Sequence, residues 1–337
     1  MNSMSRLSQT FGFALVPGFA LMSYASATEP LRAANLLAGQ ELFTVVPLSP
    51  DGNPVISSSG VLVPTRRLDQ VSGLHTAFVC AGGNPAQWQC PEIIGALQKF
   101  SRAGVRIGGI SGGAYLLAAA GLLQGRDFTI HWEHAPALVE AFPTLSPRHT
   151  RFVIDNNRIT CGGGVAPLDM MHALIMERMG ADFARRVSDW YLHIAVSEHS
   201  APQRASIAER YGAHHPVLLN ILQKMETTVE QPLDRRSMAA FAGVSERHLD
   251  RLFAGHLGVG FQNTYLNLRL SHARRLLQQS PLTLAEIAFA TGFSSASHFS
   301  RCFKSKYRQT PRSVRVSHIF KPARGIGFKI LARGTHI

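Results

Sequence analysis

The chain of 337 residues is long enough for about two domains, and its 45% hydrophobic and 16% charged residues exclude a wholly disordered polymer. The net charge of +13 is lopsided: from residue 216 onward 18 Lys and Arg face 6 Asp and Glu, an excess of +12, whereas residues 1–215 carry only +1. Such an excess in the C-terminal part favours a polyanion as that part's partner over a merely solvated face.

In chain order, FGFALV (11–16) reads as a short buried strand that ends at the Pro17-Gly18 turn. With Arg6 before it and Ala25-Ser26-Ala27 after it, the same stretch also fits a secretory leader, but Pro17 and Gly18 interrupt the apolar run and the strand reading is adopted. No run reaches the roughly 18 to 20 apolar residues that a membrane helix needs. ELFTVVPLS (41–49), TAFVCAGG (76–83), VRIGGIS (105–111) and RITCGGG (158–164) read as further strands. ALMSYASATEPLRAANLL (20–37), PEIIGALQKFSRAG (91–104) and AYLLAAAGLL (114–123) read as helices between them. The alternation predicts an α/β fold, a parallel open sheet of flavodoxin-like form with helices on both faces. Ligands in such sheets sit at the carboxyl ends of the strands, which would gather Gly82-Gly83, Ser111 and Gly162 to Gly164.

Gly109-Ile110-Ser111-Gly112-Gly113 fits G-x-S-x-G, the pattern that places a nucleophilic serine on a sharp strand-to-helix turn. A serine hydroxyl needs an adjacent base held by a third group. The candidates are His131, in TIHWEH, and Glu133, yet strand alternation would point both the same way. An α/β-hydrolase also wants more strands, an acid and a late His after its elbow, and only about 85 residues follow here. A serine-dependent hydrolase or amidohydrolase using Ser111 therefore stands as the rival reading, with no catalytic residue assigned in the favoured one. Cys80, Cys90, Cys161 and Cys302 show neither zinc-ligand spacing nor a disulfide framework, and His214-His215 reads as linker surface. No metal or cofactor is expected, and a reducing cytoplasm fits the cysteines.

EHSAPQRASIAERYGAHHP (198–216) is polar and ends at Pro216, as a linker would. Beyond it the strands vanish and an all-α domain follows. Within it AFAGVSERHLDRLF (240–253) recurs as FATGFSSASHFSRCF (289–303), with one extra residue after the turn of the second copy. Gly243 then matches Gly292, Ser245 matches Ser294, and His248 matches His298. Each unit has the parts of a helix-turn-helix: a short helix, a Gly for positive φ, a Ser to cap the next helix, then an amphipathic helix. Burying Leu249, Leu252 and Phe253 turns Arg247, Asp250 and Arg251 outward. Burying Phe299, Cys302 and Phe303 turns Ser297, Arg301 and Lys304 outward. These are groups a recognition helix offers to a major groove.

MAAFAGVSERHLDRLFAGHLG and LAEIAFATGFSSASHFSRCFKSKYRQTP closely resemble the DNA-binding domain of AraC/XylS transcriptional regulators, over residues 217–316. The resemblance implies two helix-turn-helix units joined by a long helix, about 261–279, set in successive major grooves, and a dimer. Arg308 stands where that family usually has Gly, at a cost of about 1 kcal/mol if its φ is positive. LVPGFALMSYASATEPLRAAN, FVCAGG, GGISGGAYLLAAAGLL, TIHWEH and RITCGGGVAPLDMM resemble the PfpI-like, class I glutamine amidotransferase-like sensor half of a regulator subgroup. Where that superfamily's enzymes carry a cysteine, this chain has Ser111.

The expected organisation is a sensor domain at 1–200, a linker at 201–216, the DNA reader at 217–316 and a basic tail at 317–337, either a phosphate-binding arm or a plain extension. By resemblance the effector is an amino acid or a quaternary amine. Ser111 with the backbone N–H groups of Gly112 and Gly83 would seat its carboxylate, Glu29 at the start of the first helix would receive its cation, Trp132 would add a cation–π contact, and His131 is counted with these ligand-binding residues. The expected function is a cytoplasmic regulator, more an activator than a repressor. Its partners would be double-stranded promoter DNA, the effector and, where it activates, RNA polymerase; no membrane partner is expected. A constitutive DNA binder whose α/β domain only dimerises is a third possibility.

Overall fold

The computed structural model describes residues 8–317 apart from 86, 87, 89 and 281; the basic tail therefore lies outside the described residues but for its first, Ser317. The strands β1 (Gln9–Leu15), β2 (Phe43–Ser49), β5 (Arg66–Arg67), β6 (Thr76–Ala81), β7 (Arg106–Ser111), β8 (Phe152–Asp155) and β9 (Arg158–Cys161) form one sheet in the order β5-β2-β1-β6-β7-β9-β8. Every pairing is parallel except β8 with β9. The expected parallel sheet thus carries one antiparallel edge, built by FVID, which is too short and too mixed to stand out in the sequence. A two-stranded ribbon, β3 (Val55–Ile56) with β4 (Leu62–Val63), lies apart.

Strand periodicity sends side chains to two cores. Phe11, Phe13 and Leu15 of β1 pack under α1 (Leu21–Ala38), α5 (Ala166–Met179) and α6 (Ala181–Trp190), with Leu31, Met170, Leu174 and Val187. Ala14 and Val16 pack with Ile93 and Leu97 of α2 (Pro91–Arg102), Leu116 and Leu117 of α3 (Gly113–Ala119) and Leu138 of α4 (Ala135–Ala141). Helices therefore cover both faces, as expected. FGFALV and the helix after it are built into this sheet, with Gly18 at φ 81 making the turn between them. α4, α5 and α6 are additional to the expected helices: α4 is seven residues long and the weakly amphipathic α5 is buried across much of its surface.

Contact between α3 and the sheet is backbone on backbone. A Cβ on Gly113 would stand 2.1 Å from the Val79 carbonyl oxygen, and one on Gly109 would stand 2.6 Å from the Ala114 nitrogen. Both positions admit only glycine, and their approach forces the sharp exit from β7 that leaves Ser111 at φ 58.

Segment 201–216 contains a short helix, α7 (Ile207–Tyr211), with a Ser206/Glu209 capping box. α8 (Pro216–Thr227), α9 (Arg235–Phe241), α10 (Glu246–Leu257), α11 (Phe261–Gln279), α12 (Leu284–Ala290), α13 (Ala296–Tyr307) and α14 (Pro311–Ser317) follow. They enclose two cores: Leu222, Leu249, Phe253 and Tyr265 in the first, Leu276, Ile287, Phe299 and Phe303 in the second. α11 contributes to both. Gly243 and Gly292 take φ 65 and 73 at the two turns, as their positions require. Ser245 caps α10 by accepting from the His248 N–H. The matching cap of α13 is Ser295, which accepts from the His298 N–H; Ser294 is not the cap, so the extra residue precedes the cap. Cys302 is half-buried, not fully enclosed.

Arg308 ends α13 at φ 56, the left-handed conformation reached by Gly258 (φ 65) at the end of α10. Arg308→Gly should raise stability by about 1 kcal/mol, a strain relief partly offset by the freer unfolded chain, and urea unfolding followed by circular dichroism measures it.

Candidate functional site

Ser111 sits at the carboxyl end of β7, buried to 6% exposure. The side chain beside it from α1 is Ser23: a Cβ on Gly163 would lie 2.7 Å from Ser111 Cβ, 2.9 Å from Ser23 Oγ and 3.0 Å from Ser111 Oγ. Ser23 Oγ also accepts the Gly164 N–H at 2.8 Å. Glu29, expected at the helix start, lies six residues further along α1, roughly 9 Å of axial rise from Ser23. Its carboxylate meets Arg32 at 2.7 Å on the solvent side and its backbone oxygen accepts from Tyr191. The expectation that Glu29 borders the elbow is therefore corrected; a hydroxyl, Ser23, occupies that place.

Two further expectations about the elbow change. The Gly112 N–H donates to the Ala81 carbonyl at 3.0 Å, so it is not free for a ligand. Trp88 lies directly over Gly112, where a Cβ would be 2.0 Å from its ring, and its Nε1 donates to the Gly82 carbonyl at 2.8 Å. Gly83 is exposed at φ 77 beside this lid. His131 reaches the elbow through its backbone, whose N–H donates to the Ser111 carbonyl at 3.2 Å. TIHWEH is not a strand: Thr129 makes one isolated bridge with Arg148, and the His134 N–H turns back to the His131 carbonyl at 2.8 Å, which removes the alternation argument. Among the described residues no side-chain base hydrogen-bonds the Ser111 hydroxyl. Burial lowers the His131 pKa from its ordinary value, offset in part by Glu133.

Trp132 belongs to a different neighbourhood. Its ring carries the Arg204 guanidinium at 4.4 Å and the Arg275 guanidinium at 5.9 Å, so the expected cation over it comes from the protein's own chain. Its backbone N–H donates to Oε1 of Gln203 at 2.8 Å. The same Gln203 carboxamide gives Nε2 contacts of 2.8 Å to Thr129 Oγ1 and to the Ile130 and Thr150 carbonyls. Gln203 thus pins the linker segment to the end of the sheet. A few residues along, Arg210 forks onto Glu226 of α8 at 2.6 and 2.9 Å. His134 Nδ1 donates to Gln279 Oε1 of α11 at 3.1 Å, in a buried contact between the two halves. Nothing in the sequence marks Gln203, Ser23 or Trp88, because their roles depend on partners far along the chain.

On the helical half, Arg247 and Arg251 of α10 and Ser297, Arg301 and Lys304 of α13 are exposed. Asp250 is half-exposed and pairs with Arg235 at 3.0 Å, which also holds Glu246 at 2.6 Å. Arg235, outside the expected set, therefore braces α10 against α9.

Two outcomes follow for the seam between the halves. Gln203→Ala should cost roughly 1–3 kcal/mol, since it leaves several buried polar groups unpaired; thermal unfolding of the full chain reads this loss. Burial, with His131 beside it, lowers the His134 pKa from 6.5 to about 3, and burial with Arg275 nearby lowers His272 to about 4. Both are neutral when folded, so their contribution is complete above pH 6.5 and is lost as the pH falls toward those values. Below pH 6.5 stability should decline by up to about 1.4 kcal/mol per pH unit for each histidine, and His134→Gln should flatten that slope in urea titrations.

Comparison with known proteins agrees with this two-part arrangement. Residues 14–177 match the DJ-1/PfpI family and residues 238–317 match a helix-turn-helix domain. The HTH-type transcriptional regulator GlxA of Rhizobium meliloti is 64% identical over 316 residues, covering 93% of this chain and 98% of that protein. The HTH-type transcriptional regulator GbdR of Pseudomonas aeruginosa is 37% identical over 312 residues, covering 92% and 85%. A crystal structure of an AraC family transcriptional regulator from Pseudomonas putida superposes with a TM-score of 0.51 at 26% identity, covering 54% of this chain and 99% of that one. The chain belongs to the AraC-type HTH transcriptional regulators that carry a DJ-1/PfpI domain.

Proposed function

We propose that this protein is a sequence-specific regulator of transcription in the cytoplasm, more an activator than a repressor, working as a dimer. Its DJ-1/PfpI domain, in this reading, holds a small nitrogenous metabolite without turning it over. The observation that carries this is the elbow. The strained turn and tight α3 contact are kept, while the residue on it is Ser111, its α1 neighbour is the hydroxyl of Ser23, and no base engages it among the described residues. A buried hydroxyl pair next to backbone polar groups suits reversible hydrogen bonding, whereas nucleophilic attack by serine requires a positioned base. Resemblance supports an amino acid or a quaternary amine as the metabolite. In this reading its cationic end is received elsewhere than at Glu29 and Trp132, which Arg32 and Arg204 already engage.

DNA reading is assigned to the exposed faces of α10 and α13. Arg247, Arg251, Ser297, Arg301 and Lys304 make the contacts in this reading, and Asp250 acts through Arg235 to set the helix. Arg side chains suit guanine edges and Ser and Lys suit phosphates.

Ser111→Ala tests the sensor. Titration calorimetry with arginine, carnitine, glycine betaine and choline should show one binder whose affinity weakens in Ser111→Ala, with no product formed by the parent protein; turnover abolished by Ser111→Ala would establish the hydrolase instead. Arg251→Ala and Arg301→Ala should each weaken specific DNA binding by roughly 1–3 kcal/mol and relax preference at one base position, as read by fluorescence anisotropy against a randomised operator library.

A further inference from the structure

A cavity of about 1050 Å³ opens between the two halves of the molecule. Its walls come from the segment between α3 and α4 through Trp132, from the linker through Arg204 and Arg210, from α8 through Glu226, and from α11 through His272 and Arg275. The volume is at the upper end of what small-molecule sites occupy, and Ser111 is not among its lining residues.

The charges in this cavity do not balance. Glu226 is spent on Arg210 through two short contacts and takes a third from the Tyr211 hydroxyl at 3.3 Å. Arg204 and Arg275 have no carboxylate within ion-pair distance among the described residues; Glu133 and Glu226 influence Arg275 only from further away. Both guanidinium groups lie within 6 Å of the same Trp132 ring centre, at 4.4 Å for Arg204 and 5.9 Å for Arg275. Arg275 is half-buried, and its Nε is fully enclosed without a hydrogen-bond partner. A buried, unsatisfied guanidinium nitrogen is costly and is unusual in a folded protein. Burial, and then Arg204's positive charge, lower the Arg275 pKa; burial, and then Arg210, lower that of Arg204. Two like charges drawn together in a partly desolvated wall repel each other, and a bound anion would turn that repulsion into attraction.

We infer that this cavity is a second ligand site, which binds a small oxyanion, the carboxylate or phosphate group of a metabolite, between Arg204 of the linker and Arg275 of α11. The planar forks of the two arginines suit a bidentate oxyanion, and the Trp132 ring holds both forks in place. The site is separate from the elbow and its occupancy does not depend on Ser111. Because Arg275 belongs to the helical half and Trp132 to the α/β half, the anion joins the two.

The test is a melting-temperature series on the full chain with inorganic phosphate, malonate or acetate, each compared with sodium chloride at equal ionic strength. The parent protein should gain at least about 2 °C over the chloride control in one or more arms. A gain with phosphate alone points to a phosphorylated metabolite, and one with the carboxylates alone to an organic acid. Arg204→Gln, which changes an exposed side chain, and Arg275→Gln should each abolish the gain, whereas Arg251→Ala on the DNA-reading face should keep it. The assignment is overturned if no oxyanion exceeds chloride, if Arg204→Gln retains the full gain, or if Arg251→Ala removes it.

Discussion

The side-chain carboxamide of Gln203 determines how the two halves of this molecule meet. Its four contacts, to the Trp132 backbone N–H and to acceptors on Thr129, Ile130 and Thr150, tie a polar connecting segment to the end of the sheet. A segment of this composition has little apolar surface to hold it, so without the tie it would pay its full conformational entropy in each position. With the tie, Arg204 is set over Trp132, α7 is delivered to α8, and α11 is brought close enough for Gln279 to accept from His134. The route from sensor to reader thus consists of a few polar contacts instead of a large hydrophobic interface. Such contacts can be exchanged at low cost, as a regulated joint requires.

The elbow shows how a backbone framework is held whatever side chain stands at its tip. Backbone contact at Gly109 and Gly113 fixes the turn whatever side chain stands at 111, because the constraint is steric and not chemical. The reactive thiol of the related enzymes can therefore be exchanged for a hydroxyl with the fold intact. The thiols that remain at Cys80 and Cys161 are fully buried in the sheet, and burial raises the pKa of both, that of Cys161 to about 12. They are packing residues, chemically quiet.

Much of the architecture was legible because it rests on local patterns. Alternating strands and helices, the two turn glycines and the buried stripes of α10 and α13 each follow from periodicity or from backbone sterics within a few residues. β8, α4 and α5 escaped because short or evenly buried elements have little polar face to reveal their period; α6 does have a polar face, with Arg185, Arg186 and Asp189 exposed opposite Ala184 and Val187, and its period was there to be read. The elbow was legible as a motif, and its surroundings were not. Glu29 lies in the right helix but in the wrong turn for Ser111, and chain position alone could not distinguish it from Ser23. The Gly112 N–H and the face of Trp132 looked available until the fold gave them Ala81 and Arg204 as partners. Gln203 and Arg275 had no signal at all, since each owes its importance to residues more than fifty positions away.

The long helix α11 belongs to both helical cores at once, with Phe261 and Tyr265 in one and Leu270, Leu276 and Leu277 in the other. Nineteen residues of uninterrupted helix make a strut of roughly 28 Å, somewhat shorter than the roughly 34 Å helical repeat of DNA. Neither reading unit can swing to meet its partner groove, because any rotation would tear a packed core. If both units enter DNA together, as proposed above, any mismatch with the grooves falls on the duplex, whose curvature costs a few kcal/mol and depends on base steps the protein never touches. In that arrangement the choice of binding site is in part a choice of bendable DNA, and the sequence between two half-sites would carry information even where no side chain reads it.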